Sequence, residues 1–480
     1  MATQRQGRHT VVIVGGGFSG AAVARTLLIE GAANLRVILV NDADEVGRGL
    51  AYRTGNPNHL LNVPAGRLGI DPDDEAGFGR WLSSMALRHR SSDFVPRHLL
   101  GRYVGAELDA ASCSTRCSWQ LLHGQASDIR RGTESRFDVA LSDGRVLAAD
   151  SLVIATGHPK PSLPPFSGSA SWRDDGMVSD PWRASVESDS AALGDVLVIG
   201  TGLSALDVVS QLRGSGHGGR IHLLSRRGLL PQPHRANELQ PPTLDLSTHV
   251  LTERRPLRAL VSAVRRRVRT HQQLGGDWRD VMAGLRPLTP ALWAGLDARA
   301  RRQFLRHVLP FWDTHRHRVA PQIHERLRHW MADGCVTPLS GRLVAIDRRA
   351  DGRLQVAWRA RGAEEPSRMV VDRIINCTGT GTDLARDAGS VLAGLRDAGQ
   401  LLADELGLGL HVDDRLRVID HAGNATPGLH YVGPLLKAQF WEAVAIPELR
   451  VHARTAARAI LADVASRRRD AEAAAVRSPG

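Results

Sequence analysis

The chain contains two places where a short run of β-branched and aliphatic residues is followed by glycines and then by an alanine- or leucine-rich stretch. The first run is residues 10–14, and residues 21–30 follow its glycines. The second run is residues 195–199, followed by 206–212. This order predicts a buried strand, a glycine turn and a helix. The chain is therefore predicted to contain the same strand-turn-helix unit twice.

Short alternating runs follow each unit and predict β-meanders. The first meander is predicted at residues 119–157, with 137–141 and 146–148 joined as a hairpin and a last strand at 151–155. Residues 342–347, 353–358 and 369–377 predict the second meander. A final strand is predicted at 429–432, and Pro447 stands at the start of a helix over 448–465.

These patterns predict an α/β fold with two Rossmann-like dinucleotide-binding domains, β-meanders and a helical insertion. The expected division is a first domain over residues 9–190 and a second over 191–378. The second would carry the insertion at about 230–335. Residues 379–465 would return to the first domain, and 466–480 would form a tail.

The first glycine turn, GGGFSG at residues 15–20, has the spacing of a dinucleotide-binding motif. Gly15 permits the tight turn, Gly17 lets a pyrophosphate approach the backbone amides, and Gly20 lets the helix pack closely on the strand. The position after the next strand carries the group that binds a ribose. Either Asp42 binds the ribose, or Asn41 makes a weaker hydrogen bond to it.

The second glycine turn reads GTGLSA at residues 200–205, and the position that follows its next strand is basic. Arg226 and Arg227 lie about twenty residues beyond Ala205, where an NAD site would carry an acidic residue. An arginine there pairs with a 2′-phosphate through two hydrogen bonds. NADPH is therefore predicted as the ligand of this unit. The alternative is that both arginines are solvated charges.

The charge of the chain is concentrated in one segment. The 480 residues carry a formal charge of +12, but residues 251–331 hold seventeen arginines and six acidic residues, a net of +11. Only two cationic residues are lysines, Lys160 and Lys437, so an arginine-rich composition explains much of the basicity. Nucleic acid is disfavoured as a partner.

Composition also bears on location. Four cysteines without a CxxC pair fit a reducing compartment. No apolar run approaches a membrane span, and no signal peptide opens the chain. A cytoplasmic location is expected, and a homodimer is compatible with the sequence.

Several motifs resemble a known family. They are GRGLAY at residues 47–52, HLLNVPAGR at 59–67, ATGH at 155–158, GTGLSALD at 200–207 and WEAVAIPELR at 441–450. Over about residues 9–465 the chain resembles the FAD-NAD(P)-binding flavoproteins with two dinucleotide-binding domains, a group similar to class B-type flavin monooxygenases and amino-acid N-oxygenases.

The resemblance implies that the first unit holds FAD and the second NADPH. Asn62 and Val63 would line the isoalloxazine, and a helix beginning near Ile446 would point its N-terminus at the flavin pyrimidine. The residues expected to contact the cofactors are Gly15, Gly17, Gly20, Asn41, Asp42, Arg48, Gly49, Asn62, Val63, Ala126, Thr156, Gly157, Gly200, Gly202, Ser204, Ala205, Arg226, Arg227, Gly379, Gly433, Trp441 and Ile446.

The implied function is a single-component monooxygenase that forms a C4a-(hydro)peroxyflavin with O₂ and N-oxygenates a small amine or amino acid, an anionic one included. The stretch at Phe166 and Trp172 lacks the histidine of the Baeyer-Villiger fingerprint, so ketone oxygenation ranks lower. Baeyer-Villiger or S-oxygenation and NADPH oxidase or dehydrogenase activity stay as alternatives. A flavin-binding redox sensor or interaction module is the alternative of another class.

The candidate catalytic residues come from two regions. The arginine- and tryptophan-rich insertion could cap the flavin pocket, with Arg316 or Arg318 binding a carboxylate or the NADPH phosphates. The alternative is that its tryptophans form a helical core and its arginines a solvated face. The histidines there have no ligand spacing, so no metal is predicted. The catalytic candidates are Asn62, Arg316, His317 and Trp441.

Overall fold

A computed structural model describes residues 8–132, 137–159, 193–236 and 256–477, with side chains described as far as residue 470. It also describes the isolated positions 163, 166, 167, 177, 178, 181, 244 and 246. Lys160 and Trp172 lie outside the described residues, so the stretch that bears on the Baeyer-Villiger alternative is described only in part.

The first sheet is assembled from both ends of the chain. Its three central strands, at residues 9–14, 35–41 and 151–154, are aliphatic and mostly buried, as expected for a parallel sheet between helices. The first strand is central and has parallel neighbours on both sides. In spatial order the six strands are β15 (Arg417–Ile419), β16 (Ala425–Tyr431), β7 (Ser151–Ile154), β1 (His9–Val14), β2 (Leu35–Asn41) and β3 (Ser118–His123).

The predicted first meander is smaller than expected. Its first run is β3, which pairs in parallel with β2 from Arg36↔Ser118 to Asn41↔His123 and so belongs to the main sheet. The prediction was wrong there because an alternating run does not reveal whether its partner is a neighbour or a distant strand. The remaining strands form the predicted antiparallel meander, β4 (Ala126–Arg131), β5 (Phe137–Leu141) and β6 (Val146–Ala149).

The second sheet repeats the plan of the first. Residues 369–377, predicted as one strand, form two strands that belong to different parts of this sheet. One pairs with the antiparallel meander, and the other lies parallel to the strand that precedes the second glycine turn. In spatial order the seven strands are β13 (Ser367–Val371), β12 (Leu354–Ala360), β11 (Val336–Arg348), β10 (Ile221–Ser225), β9 (Val196–Ile199), β14 (Arg373–Asn376) and β8 (Met177–Val178).

Helices cover the two sheets and form the insertion between β10 and β11, as predicted. The insertion has one small core of its own, against which Trp312 packs, whereas Trp293 is buried in a cluster that it shares with Leu408, Ala438 and Trp441. In chain order, the α-helices of the described residues are α1 (Phe18–Glu30), α2 (Gly49–Tyr52), α3 (Gly77–Ser84), α4 (Arg97–Ser114), α5 (Leu203–Gly214), α6 (Leu257–Gln273), α7 (Trp278–Leu285), α8 (Thr289–Ala294), α9 (Ala298–Gln303), α10 (Leu309–Arg316), α11 (Pro321–Ala332), α12 (Val391–Asp397), α13 (Lys437–Phe440) and α14 (Ile446–Arg477).

The last helix, α14, is fixed against the first unit by a row of arginines. Arg450, Arg454 and Arg458 recur every four residues and therefore share one face of the helix. Arg450 is 3% exposed and donates to the Gly69 carbonyl, and Arg458 pairs with Glu30 on α1. These contacts hold the N-terminal end of α14 in one position relative to the first sheet.

Candidate functional site

The first glycine turn lies where β1 passes into α1, and its geometry excludes side chains. Gly15 has φ +105°, and a Cβ atom there would overlap the carbonyl oxygen of Ala155. A Cβ atom on Gly20 would overlap the carbonyl oxygen of Gly15. The turn is thus as tight as the sequence predicts, and the first backbone amides of α1 stay uncovered at its start.

A second glycine segment lies against this turn. The Gly47 amide donates to the Gly16 carbonyl at 2.7 Å, and a Cβ atom on Gly17 would lie 3.5 Å from the Gly49 Cα. Arg48, between them, pairs with Glu45 at 2.6 Å. Glycine backbone of the two segments therefore meets here, and neither Gly17 nor Gly49 carries a side chain that would keep a pyrophosphate away.

The two ribose candidates differ in environment. Asn41 is 6% exposed; its Oδ1 accepts from the Gly16 amide at 3.2 Å, and its Nδ2 donates to the Ala43 carbonyl at 2.7 Å. Asp42 is exposed at the end of β2. Because the amide of Asn41 has partners on both sides, it supports the glycine turn, and Asp42 is the better placed of the two for a ribose.

The other predicted FAD contacts surround the same end of the sheet. Gly124 donates to the Asn41 carbonyl at 2.9 Å, which brings the start of β4, at Ala126, beside the end of β2. Thr156 is exposed next to Gly15. The Tyr431 hydroxyl lies 3.4 Å from the Gly157 carbonyl and accepts from the Leu435 amide, so it joins the turn after β7 to the turn that begins at Gly433.

The second glycine turn has the same construction. Gly200 has φ +123°, and its Cβ position would overlap the carbonyl oxygen of Cys377, just after β14. Among the residues that the structure describes, no neighbouring atom lies within 4 Å of the Cβ position on Gly202 or on Gly379. In α5, Ala205 is buried, whereas Ser204 lines a cavity.

The two arginines after β10 have different surroundings. Arg226 is exposed. Arg227 lies over the Phe311 ring at 5.0 Å and donates to the Arg306 carbonyl at 3.4 Å. Arg227 therefore contacts the helical insertion, and Arg226 is the arginine placed for a 2′-phosphate.

A cavity of about 570 Å³ lies where the two units and the insertion meet. It includes Asn62, Val63, Ser204, Arg316, His317 and Ile446 of the predicted residues, which are far apart in the sequence. Four parts of the chain supply the lining: residues 51–68 with Arg97, the start of α5, residues 234–235 with 282–287 and 315–318, and residues 444–447.

The cavity lining is strongly basic, and several of its arginines have carboxylate partners. Arg316 pairs with Glu442 at 2.5 Å, and Arg286 with Glu448 at 2.7 Å. Arg67 borders the cavity as well, and burial, with the nearby Arg286 as the next cause, lowers its pKa. The lining is therefore suited to an anionic group.

His317 ends α10 at the edge of the cavity. Burial, with Arg316 as the second cause, lowers the pKa of His317 to about 3, so the imidazole is neutral at neutral pH. Its Nε2 lies 3.7 Å from Oδ1 of Asp313, and burial raises the pKa of Asp313 to about 6. His317 can therefore accept or donate a hydrogen bond in the cavity without carrying a charge.

Trp441 lies outside the cavity lining, whereas Ile446 belongs to it. Trp441 is 3% exposed and packs on Trp293 with ring centroids 4.4 Å apart, while the Lys437 ammonium lies 4.5 Å from its ring centroid. Trp441 is not among the residues that line the cavity, so a direct catalytic or cofactor contact has no support from its position. Ile446, at the start of α14, does line it.

Arg67, His234 and Arg286 are among the residues of the cavity that were not singled out from the sequence. Arg67 belongs to the HLLNVPAGR motif, so its place in the site beside Asn62 and Val63 could have been predicted from the sequence. His234 donates to the Asn62 carbonyl at 2.9 Å, a contact between segments 172 residues apart. No sequence signal indicates that contact or the position of Arg286.

The first glycine-turn unit has a counterpart among known protein families. Residues 12–159 match the model of a family described as FAD-NAD(P)-binding. The match covers β1 to the turn after β7, where the glycine geometry fits an FAD pyrophosphate, and it confirms the predicted cofactor-binding unit. No curated protein matches the chain.

The whole chain shares its fold with solved flavoprotein structures. An ornithine N-hydroxylase of Kutzneria sp. 744, with reduced FAD, NADP⁺ and L-ornithine, is 17% identical, covers 96% of this chain and 99% of its own, and has a TM-score of 0.62. The L-lysine 6-monooxygenase of Pseudomonas syringae is 16% identical, with 94% and 98% coverage and a TM-score of 0.63. A thioredoxin reductase of Lactococcus lactis is 14% identical, with 94% and 97% coverage and a TM-score of 0.52.

These likenesses confirm the predicted α/β fold with two dinucleotide-binding-like units. In the part of the chain that the structure describes, no helix has the length and apolar character needed to cross a membrane. Across those same residues, no group of three or more His, Cys, Asp or Glu side chains is arranged to hold a metal ion.

Proposed function

We propose that the protein is an FAD- and NADPH-dependent monooxygenase that N-oxygenates a small amine or amino acid, with O₂ as the second substrate. The observation that carries the proposal is the basic cavity between the two glycine-turn units and the insertion. Solved structures with the same fold include enzymes named for N-hydroxylation of ornithine and for oxygenation of lysine.

The chain's own residues would divide the binding between the two units. Gly15, Gly17 and Gly49 would hold the FAD pyrophosphate, with Asp42 on the ribose. The turn at residues 200–205 would hold NADPH, with Arg226 on the 2′-phosphate. Bound FAD, reduced by NADPH, supplies the oxygen-activating chemistry.

The cavity side chains would orient the substrate. Arg67 lines the cavity and would bind a substrate carboxylate by a charge-assisted hydrogen bond. His317 is neutral and would accept a hydrogen bond from the substrate amine. Arg316 would act mainly by fixing the wall of the cavity, because Glu442 already occupies one edge of its guanidinium.

Product analysis tests this proposal. The purified protein is incubated with NADPH and air, and with L-ornithine, L-lysine, cadaverine, a ketone or a sulfide in separate reactions, while NADPH, hydrogen peroxide and the oxygenated products are measured. Formation of a hydroxylamine in proportion to NADPH consumed is the expected result. Peroxide alone with every amine would instead assign an NADPH oxidase, and activity only with ketones or sulfides would assign Baeyer-Villiger or S-oxygenation.

A second candidate function rests on α6. This helix contains five arginines and no acidic residue; its apolar side packs on α7, and Arg258, Arg265, Arg266 and Arg269 are exposed. Such a face suits an acidic protein or polynucleotide. A salt-dependent complex with polynucleotide, together with negligible NADPH turnover, would favour an interaction module over an enzyme.

A further inference from the structure

A buried ion pair joins the two units at the wall of the cavity. Nη2 of Arg97, at the start of α4, lies 2.7 Å from Oδ2 of Asp207, on α5. The side chains are 15% and 10% exposed. The same Nη2 also donates to the Leu60 carbonyl at 3.1 Å. One guanidinium nitrogen thus connects a helix of the second unit to the segment that leads to Asn62.

His59 makes a second connection at the same place. Its Nε2 lies 3.2 Å from the Asp207 carbonyl oxygen, and its Nδ1 lies 2.8 Å from the Thr54 hydroxyl. A carbonyl only accepts, so Nε2 carries the proton and Nδ1 accepts from Thr54. Burial lowers the pKa of His59 to about 4, which agrees with a neutral imidazole.

His234 makes the third connection. It follows β10 and donates from Nε2 to the Asn62 carbonyl at 2.9 Å, while its own amide donates to the Val319 carbonyl at 3.0 Å. The ring of His234 also contacts the ring of Phe94, with centroids 5.0 Å apart. We call the five residues of the three connections the inter-unit clamp: His59, Asn62, Arg97, Asp207 and His234.

The clamp connects the two places where the cofactors would react. Asp207 is two residues beyond Ala205, the last residue of the second glycine turn. Asn62 leads into Val63, at the wall of the cavity. Any change in the distance between Asp207 and the segment 59–62 moves one glycine-turn unit relative to the other.

We propose that the Arg97–Asp207 pair of the inter-unit clamp is a positioning pair, which holds the second glycine turn at the distance from residues 59–63 that flavin reduction by NADPH requires. This inference rests on the proposed function. In that step a hydride, two electrons and one proton, passes from NADPH to FAD and leaves NADP⁺ and anionic reduced FAD. A misplacement of about 1 Å in such a transfer can slow it about a hundredfold.

A buried ion pair is a poor source of stability, which allows its positioning role to be separated from folding. Removal of one partner leaves an uncompensated buried charge, whereas removal of both is often neutral or stabilising. Arg97→Met and Asp207→Asn are therefore made singly, and Arg97→Met with Asp207→Leu as a double variant. Arg25→Met is the control, because Arg25 pairs with Asp71 and Glu107 inside the first unit.

Two measurements test the pair on FAD-loaded protein. Anaerobic stopped-flow gives the limiting rate of flavin reduction and the Kd for NADPH. Hydrogen–deuterium exchange without NADPH follows the backbone amides of the segment 59–64, in which Pro64 alone has no amide hydrogen. The double variant is expected to fold, to lose at least tenfold in limiting rate with less than threefold change in Kd, and to exchange faster at 59–64. The Arg25→Met control is expected to keep the wild-type rate and exchange at 59–64.

The outcomes separate this inference from the proposed function. Wild-type rate and exchange in the double variant would overturn the positioning role. An equal loss of rate in the double variant and the control would overturn it as well, because it would show general destabilisation. A wild-type flavin that NADPH does not reduce would contradict the proposed function, and the exchange measurement would still decide whether the pair fixes residues 59–64.

Discussion

Arg316 and Glu442 form a two-point ion pair beside the cavity, with Nη2 2.5 Å from Oε2 and Nε 3.2 Å from Oε1. The Glu442 side chain is only 2% exposed, and that of Arg316 is 16% exposed. The sequence suggested that Arg316 or Arg318 binds a carboxylate or the NADPH phosphates. The pair means that one edge of its guanidinium already has a carboxylate partner, and only the remaining edge can face a ligand.

Glu442→Gln should destabilise the protein, because it leaves Arg316 with an uncompensated charge in a partly buried position. The expected loss in the free energy of unfolding is about 3 kcal/mol. Denaturant unfolding measures it. Glu30→Gln, which breaks the exposed pair with Arg458, is the matched control and should cost less than about 1 kcal/mol. Equal losses in the two variants would mean that burial of Glu442 does not matter.

Removing the charge of Arg67 should lower kcat/KM for substrates that have a carboxylate more than for substrates that lack one. Arg67→Met is compared on an amino acid and on the amine that results from its decarboxylation, such as lysine and cadaverine. Loss of a hydrogen bond to a charged group costs about 1.5–3 kcal/mol, so kcat/KM for the amino acid should fall roughly tenfold to a hundredfold. The amine should change less than threefold.

The control for this experiment is Arg80→Met, which removes an exposed arginine of the first unit. It should leave both substrates unchanged. If Arg67→Met lowers kcat/KM equally for the amino acid and the amine, Arg67 shapes the cavity and does not bind the carboxylate.

Much of the fold could be predicted from the sequence because its constraints are local. Gly15 and Gly200 are required by their φ values and by carbonyl groups that follow the neighbouring parallel strand in each sheet, and both leave a glycine pattern in the chain. The helix at Ile446 has its proline signal, and the structure begins that helix within one residue of the expected start. Its predicted end at residue 465 and the predicted tail were wrong, because the helix continues to Arg477 through a stretch of alanines and arginines, which favour helix. Strand β3 was misplaced because pairing with a distant strand leaves no local pattern.

The candidate site was only partly predictable, because its side chains acquire partners through the tertiary fold. Asn41 has the position expected of a ribose ligand, yet its side-chain amide is already hydrogen-bonded to the Gly16 amide and the Ala43 carbonyl. Trp441 belongs to a plausible motif, but Trp293 of the insertion covers it. The sequence does not indicate that Glu442 pairs with Arg316, since the two residues are 126 positions apart.

The coenzyme preference should depend on Arg226 more than on Arg227. Arg226→Ala should raise the KM for NADPH about tenfold or more and leave that for NADH nearly unchanged, because only NADPH carries the 2′-phosphate. Steady-state kinetics with both coenzymes measure the ratio. Arg227→Ala is the matched control, because Arg227 is engaged with Phe311 and the Arg306 carbonyl. An unchanged NADPH preference in Arg226→Ala would remove Arg226 from the 2′-phosphate site.

His59 should make the stability of the fold depend on pH. Burial, followed by the charge of Arg97, lowers the pKa of His59 to about 4, below its ordinary value of 6.5. Between these values the unfolded chain binds the proton more readily than the folded protein. The contribution of His59 is therefore fully present above pH 6.5 and is lost as the pH falls toward 4.

The shift of His59 from 6.5 to about 4 corresponds to about 3 kcal/mol of stability lost over that pH range. Urea unfolding of the wild type and of His59→Gln at pH 7, 6, 5 and 4.5 measures the slope. The variant should be less stable than the wild type at pH 7 but should lose less stability on acidification, since glutamine does not titrate. His421→Gln, at an exposed position, should keep the wild-type slope. Parallel pH curves for the wild type and His59→Gln would contradict the assignment of a neutral, buried His59.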